Sequence, residues 1–222
     1  IHDTLSARIF PSKACASLAQ ACSFMGVEFR ENTYVSNFDT GVISGPWGNE
    51  TASSIIIATG YEGFDSLEKF FPTSMGSGVK GQAALLNISL GDAPQIYANG
   101  VYVVPHNDGT TAIGSTSENK WTEPHDTDVQ LDELIERARI ICPKIKNAKL
   151  ITKWAGVRPK ARRREPLIGK VPMADGIFLA MGGFKIGFGI AHKIGLSLAD
   201  LIENKPNDLP KSYTIEHHLE KN

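Results

Sequence analysis

The sequence predicts a mixed α/β fold in which an α/β lobe is interrupted by an antiparallel β lobe. Three observations carry this. Ser54-Ile55-Ile56-Ile57-Ala58 is a continuous apolar run bounded by Thr59-Gly60, the pattern of a strand buried on both faces beneath helices. GVYVVP (100–105) and TTAIGST (110–116) flank His106-Asn107-Asp108-Gly109, whose Asp-Gly pair signals a hairpin. GIFLAMG (176–182) runs through Gly183, Gly187 and Gly189 into a long apolar-periodic segment, which reads as strand, glycine-rich turn and helix.

The elements follow in order. Pro11-Ser12 opens a helix whose apolar stripe is Ala14, Leu18, Ala21, Cys22 and Met25, and Gly26 closes it. Val27 to Arg30 reads as a short strand, and Gly41 to Gly48 as a hairpin region. From about Val79 the pattern becomes antiparallel. Asp128 to Ile141 is an amphipathic helix through Leu131, Leu134, Ile135, Ala138 and Ile141, stopped by Pro143. KLITKWAGVRP (149–159) is a strand. Residues beyond about Asn204 are polar and Pro-containing and read as a tail, with His217-His218 a solvated pair.

Bulk properties exclude several classes. The 222 residues suffice for one large domain or two lobes with a real core. A net charge of −1 gives no reason to expect nucleic acid or a membrane surface. Cys15, Cys22 and Cys142 fit no metal-ligand spacing, so no metal site is expected. They read as reduced thiols of an intracellular, cytoplasmic protein. No apolar run is long enough to span a bilayer. No signal peptide is legible, although Ile1 is not a usual start residue.

The glycine-rich turn admits two readings. Where a strand passes through bare backbone into a helix, free N–H groups and the positive end of the helix dipole meet, and glycine lets a ligand approach closely. Such turns also serve close packing alone. The spacing is not GxGxxG, and no P-loop Lys-Ser/Thr follows.

Seven segments in order narrow the choice: ENTYV (31–35), IIIATG (55–60), VKGQ (79–82), YVVPHNDGTTAIGSTSE (102–118), WAGVRP (154–159), EPLIG (165–169) and GIFLAMGGFKIGFGIA (176–191). In these the chain resembles the C-terminal part of FAD-dependent amine oxidoreductases of the D-amino acid oxidase and glycine oxidase type. The resemblance implies an incomplete Rossmann-like FAD-binding lobe, 1–76 and 156–222, interrupted by an antiparallel β-sheet substrate-binding lobe, 77–155. It implies oxidation of the C–N bond of glycine-like, N-methyl or D-amino acids, by hydride transfer from substrate Cα–H to flavin, giving an imino acid that hydrolyses.

It also implies roles for residues. Val35 matches the residue whose backbone meets the adenine ring, and Ala58, Thr59 and Gly60 match the strand end beside the dinucleotide. Gly183, Phe184, Lys185, Ile186, Gly187, Phe188 and Gly189 match the loop and helix start facing the pyrimidine side of the flavin. Lys185 stands where relatives commonly have arginine. Gly156 and Val157 match backbone neighbours of the ring. Arg158 matches the arginine that holds the substrate carboxylate in a bidentate fork, which lysine cannot reproduce. Tyr102 matches a tyrosine lining the substrate pocket. Against these stand plainer readings: Arg158 as a surface arginine, Tyr102 as a core aromatic, Trp154 as packing. No side-chain base is nominated, and oxygen and other electron acceptors stay equally open.

Two departures qualify the match. Lys160-Ala161-Arg162-Arg163-Arg164-Glu165 replaces a Thr-Pro-Asp-Gly-like turn and reads as a solvated basic loop. The strand, GxGxxG and helix that grip the FAD pyrophosphate find no counterpart before Asp39. The expectation is therefore a C-terminal fragment, itself inactive, with FAD absent or weakly held. The strand Ser54 to Ala58 would present an open edge to a missing N-terminal segment or to a second copy. The rival class is a non-catalytic remnant or interaction module that no longer binds FAD.

Overall fold

A computed structural model describes residues 7–220; residues 1–6 and 221–222, which the expected lobe boundaries include, lie outside the described residues. In chain order the elements are α1 (Pro11–Phe24), β1 (Asn37–Asp39), β2 (Val42–Gly45), β3 (Gly48–Thr51), β4 (Ile55–Ile57), α2 (Gly63–Ser66), β5 (Gly76–Asn87), β6 (Ile96–Ala98), β7 (Val101–Pro105) and β8 (Thr111–Gly114). They continue with α3 (Val129–Ile141), β9 (Lys149–Ala161), β10 (Leu167–Lys170), β11 (Ile177–Met181), α4 (Gly187–Ile202) and α5 (Ile215–Leu219). The mixed α/β class is as the sequence predicts. The chain divides into two compact units, one of residues up to 28 plus 79–157, the other of 29–78 plus the residues from 158 onward.

The first unit is built on the sheet ordered β6-β7-β8-β5-β9. The hairpin β7–β8 pairs Val103 with Ile113, and β5–β8 pairs Ala84 with the same residue. Alternation puts Val101, Val103, Ile113, Ala84 and Leu86 on one buried face, and Leu131, Leu134, Ile135 and Ala138 of α3 cover it. Each of the valine, leucine and isoleucine side chains among them gains about 1.5–3 kcal/mol on full burial. The α3 start is fixed by the Asp128 side chain, which accepts from Gln130 N–H at 2.9 Å. Gln82, fully buried, donates to Asp128 and Glu118 and accepts from Asp128 N–H, so the helix start is tied to β5.

The helix expected from Pro11 forms as α1, but no residue of it is buried. Leu18 and Met25 of the expected stripe are exposed. Pro11 at the helix start and an alanine-containing sequence suffice for the local conformation. The segment before it is held by the β7–β8 turn, with the Phe10 and His106 rings 4.4 Å apart. Such contacts group residues up to 28 with the sheet unit, while the sequence places them with the other lobe. The strand expected over Val27 to Arg30 does not form; Val27 and Phe29 are exposed, and no described strand pairs there.

In the second unit β1, β2 and β3 form an antiparallel meander where the hairpin region is expected. A second sheet, ordered β10-β11-β4, pairs β11 parallel to β4 and antiparallel to β10. Ile55, Ile57, Leu167, Ile177 and Leu179 face one core, with Phe64, Leu67, Phe71 and Met75 packed on them. On the other face α4 covers Ile168 and Phe178 through Leu198 and Ile194. Burial of β4 on both faces is not found: Ile56 stays 47% exposed. β4 is one edge strand of this sheet, and α4 packs on Ile168 of β10 and Phe178 of β11 instead.

The expected tail is ordered structure. Thr214 caps α5, accepting from His217 N–H, and Ile215 and His218 are buried. His218 Nδ1 accepts from Arg163 N–H at 3.4 Å, and its Nε2 stands 3.2 Å from the Pro166 carbonyl, which makes Nε2 the protonated nitrogen. The basic loop is therefore not simply solvated. Arg162 donates to the His218 carbonyl and Arg163 to that of Glu220, so two of its three arginines hold α5 in place.

Candidate functional site

Within the second unit, the ends of β4 and β11 and the start of α4 enclose a groove of about 330 Å³. Ala58, Gly60, Gly183 and Gly187 line it, together with Pro159, Gly182, Ala191, Ile194 and Gly195. The local sequence explains its form. After β11, Gly182 takes φ +73, and a Cβ there would stand 2.6 Å from Ala161 Cβ. Phe184, also at positive φ, donates its N–H to the Pro159 carbonyl at 3.0 Å. The chain thus turns tightly against β9 before α4 begins.

The α4 start has no side-chain cap: the residue before it is Ile186, whose side chain cannot accept a hydrogen bond. The first N–H groups of a helix have no intrahelical partner, so here they stand beside the groove with the positive end of the dipole. A Cβ at Gly60, Gly187 or Gly195 would meet nothing within 4 Å. The open space at these positions lets an extended planar group approach the backbone directly. No groove-lining residue is ionisable, so whatever recognition it offers comes from backbone dipoles and shape. That donor set fits the electron-rich edge of a flavin.

The other expected residues lie elsewhere. Thr59 follows Ala58, and its hydroxyl packs where a Cβ at Gly63 would be only 2.0 Å away. Lys185, Ile186, Phe188 and Gly189 occupy the turn and first helical turn without lining the groove, and Lys185 Nζ lies 5.5 Å from the Phe184 ring centre. Val35 is exposed, between Tyr34 and Ser36, which are pinned to the meander by Trp47 and Ser44. Arg158 is half-buried on β9.

In the first unit, Tyr102 points away from the core and is 44% exposed, its ring 4.4 Å from that of Tyr97. It lines an apolar depression of about 180 Å³ with Trp154, Val104, Ala83, Ala112 and Gly114. A core-aromatic reading of Tyr102 does not describe this position. Gly156 and Val157 lie on β9, half-buried.

Sequence reasoning names Gly187 but misses Ala191 and Gly195 of the groove's far wall. Gly187, Ala191 and Gly195 repeat every four residues along α4, which places them on one face. That spacing was a legible signal for a helix face kept bare. Among the described residues no group of three His, Cys, Asp or Glu could hold a metal ion, and no helix is long and apolar enough to cross a membrane.

A parallel β4–β11 pair leading into an uncapped, glycine-rich helix start, with a further unit built on an antiparallel sheet, places the chain among mixed α/β proteins. A family model described as FAD dependent oxidoreductase matches residues 1–201, and the chain belongs to that family. Curated relatives include glycine oxidase of Bacillus subtilis (strain 168), 28% identical over 203 residues, covering 88% of this chain and 54% of the relative. Glycine oxidase of Geobacillus kaustophilus (strain HTA426) is 26% identical over 213 residues, covering 93% and 56%. The crystal structure of glycine oxidase from Geobacillus kaustophilus matches with TM-score 0.80 at 26% identity, covering 90% of this chain and 56% of that one. Iminodiacetate oxidase from Chelativorans sp. BNC1 shares the fold, with TM-score 0.82 at 23% identity, covering 90% and 57%. The chain spans about half the length of the curated relatives it matches.

Proposed function

We propose that this chain serves an FAD-dependent oxidoreductase that oxidises the C–N bond of a glycine-like, N-methyl or D-amino acid. The observation that carries the reading is the bare, uncapped start of α4 at the groove lined by Ala58, Gly60, Gly183 and Gly187. The names of the glycine oxidase relatives support a small amino acid as substrate.

In this reading Ala58, Thr59 and Gly60 flank the dinucleotide. Gly183 to Gly189 face the pyrimidine edge of the flavin, and the α4 start at Gly187 and Phe188 turns its backbone N–H groups toward it, where a helix N-terminus stabilises negative charge. The N–H groups of Phe184, Ile186 and Gly189 are already given to the carbonyls of Pro159, Gly183 and Ile186. Val35 offers its backbone to the adenine, and Gly156 and Val157 border the ring. FAD, when bound, supplies the two-electron acceptor. Arg158 holds the substrate carboxylate through two parallel N–H donors, which fixes the orientation of Cα. Tyr102 shapes the substrate's surroundings. No side-chain base takes part, and the imino acid product hydrolyses in water.

The exposed edge of β4 and Ile56 favour a further claim: another segment, or a second copy, pairs along β4. The 222 residues alone then hold FAD weakly or not at all. The same observation is what would favour the rival reading of a remnant that no longer binds FAD. The three free cysteines support a reducing, cytoplasmic setting.

The test uses protein expressed from its whole coding sequence, mixed anaerobically with glycine, sarcosine or D-alanine while flavin absorbance is followed. Bleaching by one of the three supports the reading. Protein carrying stoichiometric FAD that none of them bleaches overturns the substrate class, and protein without FAD supports the remnant.

A further inference from the structure

A second pocket lies in the first unit, where the segment before α1 meets the β7–β8 turn. Its volume is about 240 Å³, and Arg8, Ile9, Phe10, Lys13, Pro105, His106, Asn107 and Asp108 line it. We infer that this pocket binds a phosphate group, free or carried by a small molecule, through Arg8, Lys13 and His106.

The charges are arranged rather than scattered. Phe10 packs against the His106 ring, with centroids 4.4 Å apart and planes tilted by 37°, and carries the Lys13 ammonium at 4.5 Å from its ring centre. One aromatic side chain thus fixes two of the nitrogen-bearing groups. Arg8 is anchored by one guanidinium nitrogen, which donates to the Ala93 carbonyl at 2.8 Å; the fork has further N–H donors for an oxyanion.

Among the described residues that line the pocket the single acidic member, Asp108, is largely committed to the turn. Its Oδ1 accepts from the Thr110 N–H at 3.1 Å and the Thr110 hydroxyl at 2.7 Å. Its Oδ2 lies 3.8 Å from Lys13 Nζ, an ion pair too long for a hydrogen bond. Among the described lining residues two permanent cations therefore face one carboxylate, a positive balance. Burial holds the His106 pKa below its ordinary value. Asp108 opposes that, and Arg8 and Lys13 reinforce it. An anion placed among these groups would relieve the repulsion and raise the His106 pKa. The α1 start adds its dipole in the same sense, with no capping side chain. Ile9, Phe10 and Pro105 give the pocket an apolar side that suits the organic part of a phosphate ester.

The inference stands apart from the flavin reading. It is tested on the full chain by NMR of the His106 imidazole during titration with inorganic phosphate or phenyl phosphate, at constant ionic strength against chloride. The expected result is a saturable shift with a raised His106 pKa. Binding should weaken about tenfold in Arg8→Gln and in Lys13→Gln, the fold-change of one charge-assisted contact, and recover in Lys13→Arg. Tighter binding of phenyl phosphate assigns an ester; equal or weaker binding assigns free phosphate. Shifts that do not saturate, that chloride reproduces, or that both Gln variants retain overturn the site.

Discussion

Gly187→Ala separates a ligand-binding turn from one that exists for packing. Gly187 is the first residue of α4, and a Cβ there would meet no atom within 4 Å. Its φ is not in the left-handed region, so alanine adds neither clash nor strain. In a helix interior the change from glycine stabilises by roughly 0.5–1 kcal/mol, mostly by restricting the unfolded chain. At the helix start the gain falls toward the lower end. The same methyl projects at the groove, where it stands between the backbone and any ring edge seated there. Overpacking of that kind costs about 1–3 kcal/mol, or roughly 5- to 150-fold in affinity. The two quantities should therefore move in opposite directions. Chemical denaturation of the FAD-free protein reads the first, and FAD titration of the protein from its whole coding sequence reads the second. Gly183 supplies the contrast, because its Cβ would stand 3.0 Å from Gly187 Cα and strain the turn itself. A Gly187→Ala protein that binds FAD as tightly as the parent refutes the role assigned to α4.

Arg158→Lys should lower kcat/KM by roughly ten- to hundredfold, the worth of one charge-assisted contact, while flavin content stays constant; unchanged steady-state kinetics would remove Arg158 from the substrate site. His218 makes stability depend on pH. Burial, with help from His217 and Arg163, lowers its folded-state pKa, against the Pro166 carbonyl and Glu165, so the unfolded chain binds the proton more readily. Stability should be complete above about pH 6.5 and decline as the pH falls below it, seen as a falling denaturation midpoint. An equal decline in His218→Gln would assign the effect to other groups. Asp128→Ala should cost about 0.5–2 kcal/mol, because it removes the α3 cap and leaves the buried Gln82 amide short of a partner; a loss below the detection limit in denaturant melts would argue against the cap.

The sequence is most legible where local signals agree. Asp128 followed by Leu131, Leu134, Ile135 and Ala138 combines a cap with one helical period, and α3 appears where both place it. The Asp108-Gly109 turn and the glycine-rich start of α4 are equally local, and both form. What escaped depends on partners distant in the chain. Three isoleucines look the same in an edge strand and in a central one, so Ile56 could not be read as exposed. Five residues of α5 are too few to show a period, and what orders them is His218 lying between Arg163 and Pro166, about fifty residues earlier. The arginines read as a solvated loop were the other half of that contact. Likewise, the association of the segment before α1 with the sheet unit rests on Phe10 meeting His106, and no window along the sequence contains both.

The groove lined by Gly183, Gly187, Ala191 and Gly195 carries few signals of the kind a sequence displays. Its lining offers backbone groups, small residues and aliphatic side chains, and no ionisable group. A site of this kind has no side chain whose type announces a reaction. Its signal is the absence of side chains at Gly183 and Gly187 and, one and two helical repeats onward, the small residues Ala191 and Gly195. Recognition through helix N–H groups does not titrate, so affinity for a flavin should vary little with pH across the range in which the protein stays folded. The sensitivity of such a site lies in volume. Under the proposed flavin reading, methyl groups added at the bare positions should weaken flavin binding, while charge changes nearby, as at the exposed Lys185, should act only through long-range and salt-screened fields. Leu198 and Ile194 then carry the complementary task. By packing α4 onto Phe178 and Ile168 they hold the helix axis aimed at the groove, so truncating either should misplace the N–H donors without touching them.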